Sequence, residues 1–191
     1  IKNDIEKDIS DILNRTDFIL GKEVNQLESK LAKYVGVKEC ISCASGTDAL
    51  LIPLMAENIG IGDAVFTTNF SYFATTEVIS HLGATPVFID IEQDTFNLNP
   101  DLLEIEIKRI IKEKKLVPKA IIAVDLFGHL ADYSRISIIA KKYNLLLIED
   151  AAQSFGASYE NKKSCSYGHV SATSFFPAKP LGGYGDGGAI F

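Results

Sequence analysis

The chain has 191 residues, 47% of them hydrophobic and 23% charged, and a formal net charge of −6. A chain of that size and balance buries one substantial core and does not read as disordered. Its acidic balance argues against a nucleic-acid surface, which needs clustered Lys and Arg, and no stretch reaches the roughly 20 apolar residues of a membrane helix.

In chain order, the first periodic segment is residues 22–35, where Val24, Leu27, Leu31 and Tyr34 recur at helical spacing and Gly36 follows where a C-terminal cap is expected. Short apolar runs then appear at residues 39–44, 64–68, 86–89, 120–124 and 145–148. Helical segments separate them at 47–58, 73–82, 101–115 and 133–143. Near-continuous apolar strands alternating with helices predict an α/β fold, with a mostly parallel sheet buried on both faces. After Asp150 the rhythm breaks into short strands at 157–159, 170–175 and 185–191, with a polar turn at 160–163. No repeat or linker divides the chain, so it reads as one domain, 1–191. The closing Gly188–Ala189–Ile190–Phe191 reads as a strand stopped at its start, leaving an unpaired sheet edge.

Three segments carry chemistry. Ser45–Gly46–Thr47–Asp48–Ala49–Leu50 lies between a strand and a helix, where free backbone amides and the helix dipole favour a phosphate and Gly46 permits close approach. A plain capped helix satisfies the same residues. Glu149–Asp150 ends a buried apolar strand, where ligands collect in open α/β sheets. Neighbours on a strand face opposite ways, so only one enters a site, and Asp150 is the candidate; a turn-capping Asp is the alternative. In Ser174–Phe175–Phe176–Pro177–Ala178–Lys179–Pro180–Leu181–Gly182–Gly183, a lysine sits between prolines and a glycine run. Partial burial would make it an amine nucleophile. The glycine run leads into a strand and not a helix, so it is not a dinucleotide fingerprint.

No metal site is expected. Cys40 and Cys43 have the spacing of a zinc pair, but no second pair accompanies them and residues three apart on a strand face opposite ways. His81, His129 and His169 are scattered. Three cysteines and no secretory opening are consistent with a reducing cytoplasm.

Taken together, Cys40–Ile41–Ser42–Cys43–Ala44–Ser45–Gly46–Thr47–Asp48–Ala49–Leu50, Ile148–Glu149–Asp150–Ala151–Ala152–Gln153–Ser154–Phe155–Gly156–Ala157 and the stretch from Thr173 through Gly182 resemble the DegT/DnrJ/EryC1/StrS-type sugar aminotransferases. These are fold-type-I pyridoxal-phosphate enzymes. The resemblance implies a three-layer sandwich in which Lys179 carries pyridoxal 5'-phosphate as a Schiff base. It implies that Gly46, Thr47 and Ser174 hold the phosphate, Tyr72 stacks on the ring, Asp150 pairs with the pyridine nitrogen and Gln153 packs near the ring hydroxyl. Implied too are a glutamate donor, a keto-sugar nucleotide acceptor (a UDP-linked 3-keto sugar), a role in surface polysaccharide or lipopolysaccharide synthesis, and a cytoplasmic homodimer. Family chains are roughly twice as long and carry a small C-terminal domain. This chain therefore corresponds to the large domain, cut inside the family's first helix and before the small domain. Competing readings are an enzyme aminating C-4 of the sugar, a dehydratase of the same fold with histidine in place of the lysine, and a non-enzymatic regulator.

Overall fold

The computed structural model describes residues 1–191. Two helices, α1 (Lys2–Arg15) and α2 (Lys22–Val35), precede an alternating run: β1 (Ile41–Cys43), α3 (Gly46–Ala56), β2 (Asp63–Thr68), α4 (Ala74–His81), β3 (Thr85–Ile89), α5 (Pro100–Glu113), β4 (Val117–Val124), α6 (Tyr133–Tyr143) and β5 (Leu146–Asp150). Four short strands follow: β6 (Ser158–Tyr159), β7 (Lys162–Lys163), β8 (Val170–Ser174) and β9 (Gly188–Ile190). Seven strands form one sheet in the order β1-β9-β8-β5-β4-β2-β3. All pairs are parallel except those of β9, which runs antiparallel to β1 and β8.

Strand alternation divides the core between two faces. In β4, Ile121 and Ala123 pack with Leu103, Ile107 and Ile110 of α5 and Ile136, Ile139 and Ala140 of α6. Ala120 and Ile122 turn the other way, onto Ala49, Leu50 and Leu54 of α3 and Val78 and Ile79 of α4. Helices on both faces make the three layers expected of near-continuous apolar strands.

The structure also departs from the expectations. Only Ile41–Cys43 of the apolar run at 39–44 is strand, because its single neighbour β9 offers three residues to pair with. β9 itself is not an edge: it lies between β1 and β8, paired on both sides, and the edges are β1 and β3. The segment 160–163 is more than a turn. Glu160 and Asn161, at φ 48° and 64°, close a two-residue hairpin in which Lys162–Lys163 pairs with Ser158–Tyr159. Helix α1 is absent from the elements expected from spacing, although Ile5, Ile9, Ile12 and Leu13 recur at helical intervals, and it buries none of its side chains.

Candidate active site

All seven residues singled out from the sequence, Gly46, Thr47, Tyr72, Asp150, Gln153, Ser174 and Lys179, line one cavity of about 320 Å³. It opens where β5 and β8 end and α3 begins, the region in which parallel sheets place ligands.

One wall is the first turn of α3. Ser45 caps it: Ser45 Oγ accepts from the Asp48 amide at 3.0 Å and donates to Asp48 Oδ2 at 3.0 Å, and the Ala49 amide reaches the Ser45 carbonyl at 3.0 Å. Helix geometry leaves the amides of Gly46 and Thr47 without an intrahelical acceptor, at the positive end of the dipole. Gly46 is required by contact: a Cβ there would lie 2.6 Å from Ser174 Cβ and 3.0 Å from its Oγ. Absence of that carbon lets the end of β8 close onto the start of α3 and puts the Ser174 hydroxyl beside the open amides. Ser174 Oγ also accepts from the Phe176 amide at 3.2 Å.

Lys179 hangs from the loop joining β8 to β9. The loop is pinned by Phe175 N–H to the Gly187 carbonyl at 2.7 Å, Gly183 N–H to the Phe175 carbonyl at 2.8 Å and Lys179 N–H to the Phe176 carbonyl at 2.8 Å. The lysine is half-buried. Its Nζ stands 5.8 Å from the ring centroid of Tyr72, which is itself 73% exposed on the opposite lip.

Asp150 ends β5, between Val124 of β4 and Ala172 of β8. It is 5% exposed. Its Oδ2 accepts from Thr75 Oγ1 at 2.8 Å and its Oδ1 from the Ala152 amide at 3.2 Å. Burial pushes the carboxyl above the ordinary Asp range; the Thr75 hydroxyl, the Ala152 amide and the Lys179 charge draw it back. Glu149 points away from the cavity, accepting from the Cys165 amide at 2.6 Å, the Tyr167 amide at 2.8 Å and Ser171 Oγ at 2.8 Å.

Sequence reasoning missed Thr75 and the Ala152 amide, the two donors on Asp150. The only signal for Thr75 was a hydroxyl three residues after Tyr72 at a helix start. Cys40 packs with Leu31, Ala32 and Ala189, and burial raises its thiol to about 12. No three His, Cys, Asp or Glu side chains converge as metal ligands. None of the three histidines lines the cavity; His169 Nδ1 accepts from the Leu147 amide at 2.9 Å.

The cavity can therefore hold an anion at the α3 start, meet a cationic group at Asp150 and offer an amine at Lys179. Comparison with known proteins agrees in kind. The UDP-2-acetamido-2-deoxy-3-oxo-D-glucuronate aminotransferase of Pseudomonas aeruginosa is 53% identical over 100% of this chain and 51% of its own length. A DegT DnrJ EryC1 StrS aminotransferase from Brucella abortus, solved by crystallography, is 52% identical over 100% of this chain and 51% of that one, with a TM-score of 0.98. NtdA from Bacillus subtilis, solved with bound cofactor PMP, is 32% identical over 98% of this chain and 41% of that one, with a TM-score of 0.85. The chain spans about half the length of the curated relatives it matches. The profile of the DegT/DnrJ/EryC1/StrS aminotransferase family matches residues 1–191, and the chain belongs to that family.

Proposed function

We propose that this chain supplies the cofactor-binding part of a pyridoxal 5'-phosphate-dependent aminotransferase that moves an amino group from glutamate to a keto-sugar nucleotide, with a UDP-linked 3-keto sugar as acceptor. The observation that carries the reading is the convergence, in one cavity, of a lysine amine, a buried carboxylate and a helix start with two open amides.

These residues fit the cofactor. The phosphate ester matches the Gly46 and Thr47 amides with the Thr47 and Ser174 hydroxyls, since a helix start is a ready anion site. Asp150 matches the pyridine nitrogen, Tyr72 the ring face, Gln153 the ring hydroxyl and Lys179 the aldehyde. When bound, pyridoxal phosphate supplies a carbonyl for amines and a cationic ring that accepts the electron pair of a broken C–H bond. Asp150 holds a proton on the ring nitrogen, and the buried site strengthens that interaction by excluding water. Thr75 and the Ala152 amide keep Asp150 oriented and favour its ionised form. Lys179 Nζ, as a free amine, would take up and return the proton of the donor's α-carbon. Sequence relatives named for sugar-nucleotide substrates support the acceptor class. The reading extends to a cytoplasmic homodimer serving surface-glycan synthesis, a setting that suits the free Cys40, Cys43 and Cys165.

Borohydride reduction of the cofactor-loaded protein followed by peptide mapping tests the assignment. Covalent pyridoxyl label is expected on Lys179. Label on a different lysine, or a protein that takes up no cofactor, would overturn it.

A further inference from the structure

Behind the cavity wall lies a buried acid that the reading above leaves unused. Asp125 follows β4, is fully buried, does not line the cavity and takes part in no ion pair. A carboxylate taken from water without a cation is costly unless its lone pairs are all met. Here three hydrogen bonds hold it, and burial with Glu149 nearby pushes the carboxyl well above the ordinary Asp range. Oδ1 accepts from the Ala131 amide at 3.0 Å and Tyr133 Oη at 2.8 Å, and Oδ2 accepts from Ser154 Oγ at 2.7 Å.

Ser154 is the residue that matters for the site. A hydroxyl has one proton to give. Given to Asp125, it leaves Ser164 Oγ, 2.6 Å from Ser154 Oγ, as the donor in that second bond. The Ser154 amide meanwhile closes a turn on the Ala151 carbonyl at 3.2 Å. Asp125 therefore holds the segment 150–154 at both ends: its own amide donates to the Asp150 carbonyl at 3.1 Å, and its carboxylate holds Ser154. Between those two points sit the Ala152 amide, bonded to Asp150 Oδ1, and Gln153 on the cavity wall.

We propose that Asp125, acting through Ser154, is a positioning residue for the cofactor site: it clamps the turn 151–154 so that Asp150, the Ala152 amide and Gln153 meet the cofactor in one arrangement. The inference rests on the pyridoxal-phosphate reading. A polar core cluster that serves stability alone would place no demand on the ligand; a clamp does.

Two variants separate these. Ser154→Ala removes the donor on Asp125, whereas Ser164→Ala removes a buried hydrogen bond of the same cluster and leaves the Asp125–Ser154 contact in place. Both are compared with the unaltered protein by pyridoxal-phosphate titration, by the induced circular-dichroism band of the bound cofactor, and by melting of the cofactor-free form. Both should melt earlier. Ser154→Ala alone should bind cofactor about tenfold more weakly, the upper end for one lost hydrogen bond, with a reduced dichroic band. Unchanged binding and dichroism in Ser154→Ala would overturn the clamp, as would equal losses in the two variants. If the unaltered protein binds no pyridoxal phosphate, the functional reading fails first and the positioning role falls with it.

Discussion

Helices α3 and α5 both start where the chain leaves a strand region for a face of the sheet, yet they treat their first backbone donors in opposite ways. At α5, Asn99 Oδ1 accepts from the Asp101 and Leu102 amides at 2.9 and 3.2 Å, and the Leu103 amide reaches the Asn99 carbonyl at 3.0 Å. Pro100, the first helical residue, has no N–H to satisfy. Nothing is left for a ligand. At α3, Ser45 satisfies only Asp48 and Ala49, and Gly46 and Thr47, whose amides have no acceptor, line the cavity. One end is sealed because its helix only covers the sheet; the other is left open, and the residues that leave it open are a glycine and a hydroxyl where α5 has a proline and a bidentate amide.

The comparison predicts that changes on the α3 side move ligand chemistry and stability separately, while changes on the α5 side move stability alone. The largest effect is expected from Asp150→Asn. Loss of the anion proposed to keep the ring protonated should slow the proposed glutamate half-reaction on the order of a hundred- to ten-thousandfold, the range of a lost acid–base group. Stability should move the other way. Burial raises the folded carboxyl above its unfolded value, so its contribution is fully present below the unfolded value and is lost as pH rises through the folded one. The neutral amide escapes that loss. Cofactor-free Asp150→Asn should therefore melt later than the parent at neutral pH, with the gap closing in acid; a half-reaction at the parent rate would remove Asp150 from its assigned role.

Gly46→Ala comes next. With its new carbon 2.6 Å from Ser174 Cβ, something must shift, and overpacking of this kind costs about 1–3 kcal/mol. Because the strain falls between the two residues proposed to bind the phosphate, cofactor affinity should drop on the order of tenfold or more in a fluorescence titration, beyond the stability loss. Asn99→Ala is the smallest. Removing that cap should cost about 1 kcal/mol in chemical denaturation, and a change in cofactor affinity would break the contrast between the two helix starts.

Much of this was legible in the sequence for a physical reason. Local pattern encodes local structure: residues 133–143 alternate at helical spacing and form α6 over that span, and the apolar runs at 64–68 and 86–89 became β2 and β3 within a residue at each end. Gly46, Asp150 and Lys179 stood out because each breaks its own context. What stayed hidden depends on elements far apart in the chain. Thr75 reaches Asp150 only because α4 packs over the sheet near β5, and Asp125 holds Ser154 only because β4 and β5 are neighbours. Neither bond leaves a trace in residue spacing. The position of β9 was likewise invisible, since a three-residue strand carries no signal of which neighbours it will take.

That last strand has a consequence for how the molecule is made. β1 has no sheet partner other than β9, and its Cys43 pairs with Gly188. While the polypeptide emerges from the ribosome, β2, β3, β4 and β5 can pair among themselves, but β1 must wait until residue 188 has been synthesised. Contacts this distant in sequence form slowly. Helix α3, tethered to β1 by two residues, can pack on β4, β5 and β8 through Ala49, Leu50 and Leu54 before then, but Gly188 of β9, where an added Cβ would lie 2.3 Å from the Ser45 carbonyl oxygen, closes against the start of α3 only at that late step. The start of α3 is thus completed only when β9 arrives, and a small anion that binds the completed corner and not its precursors would favour the finished sheet.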